Sequence, residues 1–162
     1  MNFIAHKEGD RLQSIKDHLV GTADRAAEFA DKFGKADWGY CCGLLHDIGK
    51  YSEPFQNKIV NDTDDNVDHS TAGAKLCMKM GGYYQLLSYC IAGHHAGLPD
   101  YGNTVIHSSL RYRCEKKKIY DYSSYKYEIE IPELKTDPII LQNLSDADFP
   151  LSVFLRMIYS CL

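Results

Sequence analysis

Through most of this chain, apolar residues return at every third or fourth position, the spacing that lines them along one face of an α-helix. Ile15, Leu19, Ala23, Ala26, Ala30 and Phe33 trace one such face, with Asp24, Arg25, Glu28, Asp31 and Lys32 opposite and Gly34 placed to stop the helix. A second helix is expected from Asp37 to about Lys50 or Tyr51, with Trp38, Cys41, Cys42, Leu45 and Ile48 inward. Ser52, Glu53 and Pro54 open a third, carrying Phe55 and Ile59. After an acidic loop from Asn61 to Asp68, Ser70 can cap a helix holding Ala74 and Cys77 that ends at Gly81-Gly82. The next begins near Tyr83 and aligns Tyr84, Leu87, Cys90, Ile91 and His94 before Gly97 and Pro99 close it. A last helix from about Pro150 turns Leu151, Phe154, Leu155, Ile158 and Cys161 inward. The pattern predicts an all-α bundle. It fails only from Tyr101 to Asp137, a Tyr- and Lys-rich stretch read as an irregular loop or a short strand, because Tyr127 to Ile131 alternate polar and apolar.

A chain of 162 residues fits one domain, 1–162, and can bury a core without disulfide staples. Cys41, Cys42, Cys77, Cys90, Cys114 and Cys161 form no C-x-x-C pair and fall mostly in apolar helical positions. They read as small core residues of a reduced protein, not as a thiolate metal site. No apolar run approaches the roughly 20 residues that cross a bilayer, and Met1 to Arg11 is polar. The expectation is a cytoplasmic protein with no membrane partner. The net charge of −4 argues against a simple DNA-binding module and leaves a metal-lined cleft open. Nothing after Leu162 caps the last helix, so the natural domain is expected to continue.

Seven histidines carry the functional signal. His18 lies at the edge of the first helix's apolar face, His46 and Asp47 near the end of the second, His69 just before a helix, and His94 and His95 at the end of another. A helical bundle can converge such groups on one pocket. Imidazole and carboxylate suit divalent ions such as Mn, Fe, Co, Ni or Zn, with Mg also possible. On a continuous helix His46 and Asp47 would point about 100° apart and serve two ions through a bridging carboxylate. Two ions about 3.5–4 Å apart can activate a water and stabilise the leaving oxygen of a phosphodiester. Lys50 shares their face and can offset charge on a phosphate. Taken singly, His18 also reads as a hydrogen-bonded core residue, Lys50 as a helix C-terminal cation and Asp68 as a loop residue; His6 and His107 read as surface residues. The combination is what points to metal.

The segment Gly43-Leu44-Leu45-His46-Asp47-Ile48-Gly49-Lys50 resembles the signature of HD-superfamily phosphohydrolases. Asp17 to Ala23, Asp68 to Ala74 and Ala92 to Asp100 follow in an order and spacing similar to the HD nuclease domain of the type I CRISPR effector nuclease-helicase. The resemblance implies a helical HD domain that degrades DNA, preferentially single-stranded, after a crRNA-guided surveillance complex (Cascade) has opened the target, with helicase domains in the same or a separate chain. It implies one or two divalent ions: His18 and His46 on one, His69, His94 and His95 on the other, Asp47 between them, and Lys50 near the scissile phosphate. The family uses a further aspartate after the segment that Arg156 to Leu162 resembles; Asp146 and Asp148 look similar but precede that helix. The superfamily signature alone also allows hydrolysis of nucleotides or small phosphoesters, and the short ligand set allows a catalytically silent docking domain. Arg111, Arg113, Lys116, Lys117 and Lys118, interleaved with Tyr112, Tyr120, Tyr122 and Tyr125, read either as a solvated loop or as a track for a single strand.

Overall fold

The computed structural model describes residues 3–138 and 148–162. A short antiparallel hairpin, β1 (Ile4–Glu8) and β2 (Arg11–Ser14), leads into seven helices: α1 (Ile15–Asp31), α2 (Ala36–Leu45), α3 (Glu53–Asn61), α4 (Ser70–Met80), α5 (Tyr84–Gly93), α6 (Leu110–Glu115) and α7 (Asp148–Ser160). Turns of 3-10 helix at Ile48–Tyr51 and Ser123–Tyr127 complete the described elements. The all-α expectation holds. Among the described helices none is long and apolar enough to cross a membrane.

Burial follows the periodicity. Ile15, Leu19, Ala23, Ala26 and Ala30 of α1 are all buried, and Ser14 caps the helix by accepting from the Asp17 backbone N–H at 3.0 Å. α2 is apolar nearly all round, as a helix enclosed by neighbours must be. α1 lies against it closely enough that a Cβ on Gly43 would sit 2.6 Å from the Ala23 Cα, so only glycine permits this approach. α4 packs on α5, and α7 closes the core against α5, α1 and α2. Trp38, fully buried, meets the Phe154 ring edge-on and donates through Nε1 to the Thr136 carbonyl at 2.9 Å. The six cysteines are free, five of them buried, as a reduced core requires.

Several boundaries differ from the sequence reading, each for a local reason. The polar N-terminus pairs as a hairpin around Gly9, whose φ of +58° suits the tight turn between the strands. α2 stops at Leu45, and Asp47 adopts φ −114° and ψ 18°, outside the helical region. α4 is capped by Asp68, not Ser70: the Asp68 carboxylate accepts from the Thr71 N–H at 3.0 Å and from the Thr71 hydroxyl at 2.6 Å. Between residues 101 and 137 the irregular alternative of that reading holds over most of the stretch and no strand forms, but the segment also carries a helix, α6, and a 3-10 turn that the pattern did not show. Ser109 caps α6, and residues 132–136 run as a strap tied down by Asp37, which accepts from the Lys135 and Thr136 N–H groups. Asp146 lies outside the described residues.

Candidate metal centre

Each residue singled out for metal sits at an element's end, and those ends meet. His18 is in the first turn of α1, His46 follows α2, Asp47 precedes the 3-10 turn and Lys50 lies within it, His69 precedes α4, and His94 and His95 follow α5. The close passage of two backbones makes this possible. A Cβ on Gly49 would lie 2.2 Å from the His69 carbonyl oxygen, so glycine there lets the chain before α4 reach Asp47. The C-terminal ends of α2 and α5 also bring their partial negative charge to the cluster, which favours a cation.

Asp47 is the centre, 3% exposed. Its Oδ2 is 2.9 Å from His18 Nε2 and 3.2 Å from His46 Nε2. Its Oδ1 is 3.2 Å from both His69 Nε2 and His94 Nε2. One carboxylate thus faces two sets of imidazoles, one set per oxygen. His95 joins the second set, with Nε2 2.7 Å from His69 Nε2. Donor atoms of Asp47, His69, His94 and His95 all lie within 4.8 Å of one another. The arrangement does not come from a 100° step along one helix, since Asp47 has already left α2. A turn, not a helical face, aims the carboxylate.

Tautomers follow from the hydrogen bonds. His46 Nδ1 is 2.7 Å from the Gly43 carbonyl, His94 Nδ1 2.7 Å from that of Ile91, and His69 Nδ1 3.1 Å from that of Val67. A carbonyl only accepts, so all three Nδ1 atoms carry hydrogen and, in the neutral rings, the Nε2 lone pairs point inward. Backbone carbonyls hold metal-ligating histidines in this way. Asp47 Oδ1 and His94 Nε2 are buried without a hydrogen-bond partner despite their proximity, because two lone pairs face each other. A divalent ion would satisfy both: ligands about 2.1 Å from a shared ion stand roughly 3 Å apart. The donor set therefore fits a metal.

Electrostatics agree with that use. Burial pushes the Asp47 carboxyl up, but the imidazoles of His18, His46, His69 and His94 set against its two oxygens outweigh it and hold the group well below the usual carboxylate range. Burial, reinforced by neighbouring His94 and His69, lowers His95 below its ordinary value and keeps it available as a neutral ligand. Lys50 is buried too, with Nζ 2.9 Å from Asp47 Oδ2 and 3.2 Å from His6 Nε2.

Two roles escaped the sequence reading. His6 is exposed, as a surface residue should be, but it also groups with His18 and Asp47, their donor atoms within 4.8 Å of one another. No helical periodicity marks it; only the hairpin brings it in. Arg113, read as a possible strand-tracking cation, is instead folded inward, donating to Thr71 Oγ1 at 2.9 Å and Ser70 Oγ at 2.7 Å, while Lys117 pairs with Asp68. Arg111 pairs with Glu115, and Lys116 and Lys118 are exposed. Asp148 opens α7 and belongs to neither group of converging donors. A groove of about 430 Å³ runs from His18 past Gln13, Gly21, Thr22, Arg25 and Phe29.

A family model described as the HD domain matches residues 15–137. No curated protein gives a significant match to the chain.

Proposed function

The chain belongs to the HD domain family of metal-dependent phosphohydrolases, and from that premise we propose that it is a nuclease that hydrolyses single-stranded DNA in CRISPR interference. The observation that carries the hydrolytic reading is the Asp47 carboxylate, each oxygen of which faces its own imidazoles. Divalent ions bound there would supply Lewis acidity and an activated water for attack on phosphorus. His18 and His46 would hold one ion and His69, His94 and His95 the other, with the Asp47 carboxylate available to both. Lys50 lies beside the shared carboxylate, where its positive charge favours a phosphate oxygen brought to the cluster.

Two features favour a polymer over a free nucleotide. The groove leading from His18 is open, and Arg25 and Phe29 on its wall are exposed, a cation and a stacking surface of the kind single strands use. The segments around His18, His69 and His94-His95 also resemble the nuclease branch in order and spacing. A guided surveillance complex that opens duplex DNA, and a helicase in the same or another chain, would deliver such a strand.

The test is a substrate panel with Mn²⁺, Co²⁺, Ni²⁺ or Mg²⁺ added to metal-free protein. Cleavage of single-stranded DNA, abolished by chelator and by His94→Ala, is expected. Turnover of nucleotides with DNA left intact would reverse the assignment to a small-molecule phosphohydrolase. Inactivity on every substrate would leave a docking role.

A further inference from the structure

Each oxygen of Asp47 meets two imidazoles within 3.2 Å, His69 and His94 at Oδ1 and His18 and His46 at Oδ2. A further histidine stands beyond each pair: His95 against His69 on one side, and His6 against His18 on the other. Pairing between β1 and β2 shifts register between Ile4 and His6, an irregularity of the kind that re-aims a side chain. The neighbouring Ala5 is buried, and the His6 ring meets that of His18 edge-on with centroids 4.7 Å apart. Gln56 fixes the strand by donating to the Ile4 carbonyl at 3.0 Å and accepting from its N–H at 2.8 Å.

We propose that His6 is a further protein ligand of the cation subsite formed by His18, His46 and Asp47 Oδ2, so that the N-terminal hairpin is part of the metal centre. This rests on reading the Asp47 cluster as a metal site. Its donor atom lies within 4.8 Å of those of His18 and Asp47, a separation that a modest contraction around one ion closes. Lys50 is the competitor. In the metal-free chain its ammonium lies against both His6 Nε2 and Asp47 Oδ2, the lone pairs an ion would take. The subsite on Oδ2 is therefore the weaker of the two, and removing Lys50 strengthens it.

Co²⁺ titration of metal-free protein tests this by calorimetry and by the visible absorption of the bound ion. Wild type, His6→Ala, Lys50→Met and the double variant are compared, with melting curves in chelator to check folding. His6 is exposed, so its replacement is expected to leave those curves unchanged. Expected is a loss of tenfold or more in affinity for the weaker Co²⁺ with an altered absorption band, the tighter ion unaffected. The same loss is expected in the Lys50→Met background and in His6→Gln, whose amide keeps a hydrogen bond to Lys50 but is a poor ligand. Superimposable titrations of wild type and His6→Ala overturn the assignment while leaving the metal centre standing. A loss that disappears once Lys50 is Met also overturns it, because His6 would then act only by holding Lys50. Failure of wild type to bind Co²⁺ at all would overturn the metal centre itself, and this ligand with it.

Discussion

At Asp47 a single carboxylate serves as counter-ion to Lys50 and as the point where four imidazoles converge within 3.2 Å. Lys50 is 3% exposed, and burying an ammonium is tolerable only while its carboxylate partner stays in place. Asp47→Ala should therefore destabilise the metal-free protein by about 3 kcal/mol, measured by urea unfolding in chelator. Unchanged stability would mean that the buried pair is not what holds this turn. Much of this residue-level picture was legible in the sequence, because His18, His46, Asp47, His69, His94 and His95 lie next to recognisable helix ends. His6 was not legible. It lies in a polar stretch with no helical period, and only strand pairing brings it to the cluster. The role of Arg113 was also hidden, since a basic residue in a Tyr- and Lys-rich segment looks solvated until its partners Ser70 and Thr71 are seen.

Elements show the same division between what periodicity can reveal and what it cannot. The long amphipathic helices follow from the spacing of apolar residues, whereas their ends depend on turns and on side chains far away in sequence. α4 illustrates this. Its start is set by Asp68, whose carboxylate caps the Thr71 N–H and also meets Lys117 and Arg113 from the segment that the pattern left irregular. Burial raises the Asp68 carboxyl, but hydrogen bonds from Lys117 and Thr71 outweigh it and leave the group well below its ordinary value of 3.8. The sign follows from linkage. A depressed carboxyl stabilises the fold above its unfolded value, and that contribution is lost as pH falls through about 4 toward the folded value. Asp68→Ala should cost about 1–2 kcal/mol at neutral pH, and the gap from wild type should narrow on acidification below pH 4, followed by urea unfolding in chelator. A gap that is constant with pH would show that the carboxylate's charge is not the stabilising feature. Of the two readings open for Tyr127 to Ile131, the loop holds and the strand does not, for a related reason: alternation gives a strand only where a partner edge exists, and among the described residues none pairs there.

For the molecule as a whole, helix ends from separate parts of the chain meet at one end of a bundle, and their lone pairs face one another at Asp47. Such a cluster gains stability from a cation. With Mn²⁺ at a hundred times its dissociation constant, each site should add about 2.7 kcal/mol. That corresponds to a rise of roughly 5–10 °C in Tm for a chain of this size, read by thermal melting and reversed by chelator. A melting curve indifferent to both would argue against a site preformed for metal. The most direct measurement is anomalous diffraction at the Mn or Co absorption edge from crystals grown with the ion. An anomalous peak is expected within about 2.3 Å of Asp47 Oδ1 and of Nε2 of His69 and His94, with a second peak on the Oδ2 side at sufficient ion concentration. Anomalous signal confined to other parts of the surface, with His94 Nε2 and Asp47 Oδ1 still facing each other uncoordinated, would contradict it.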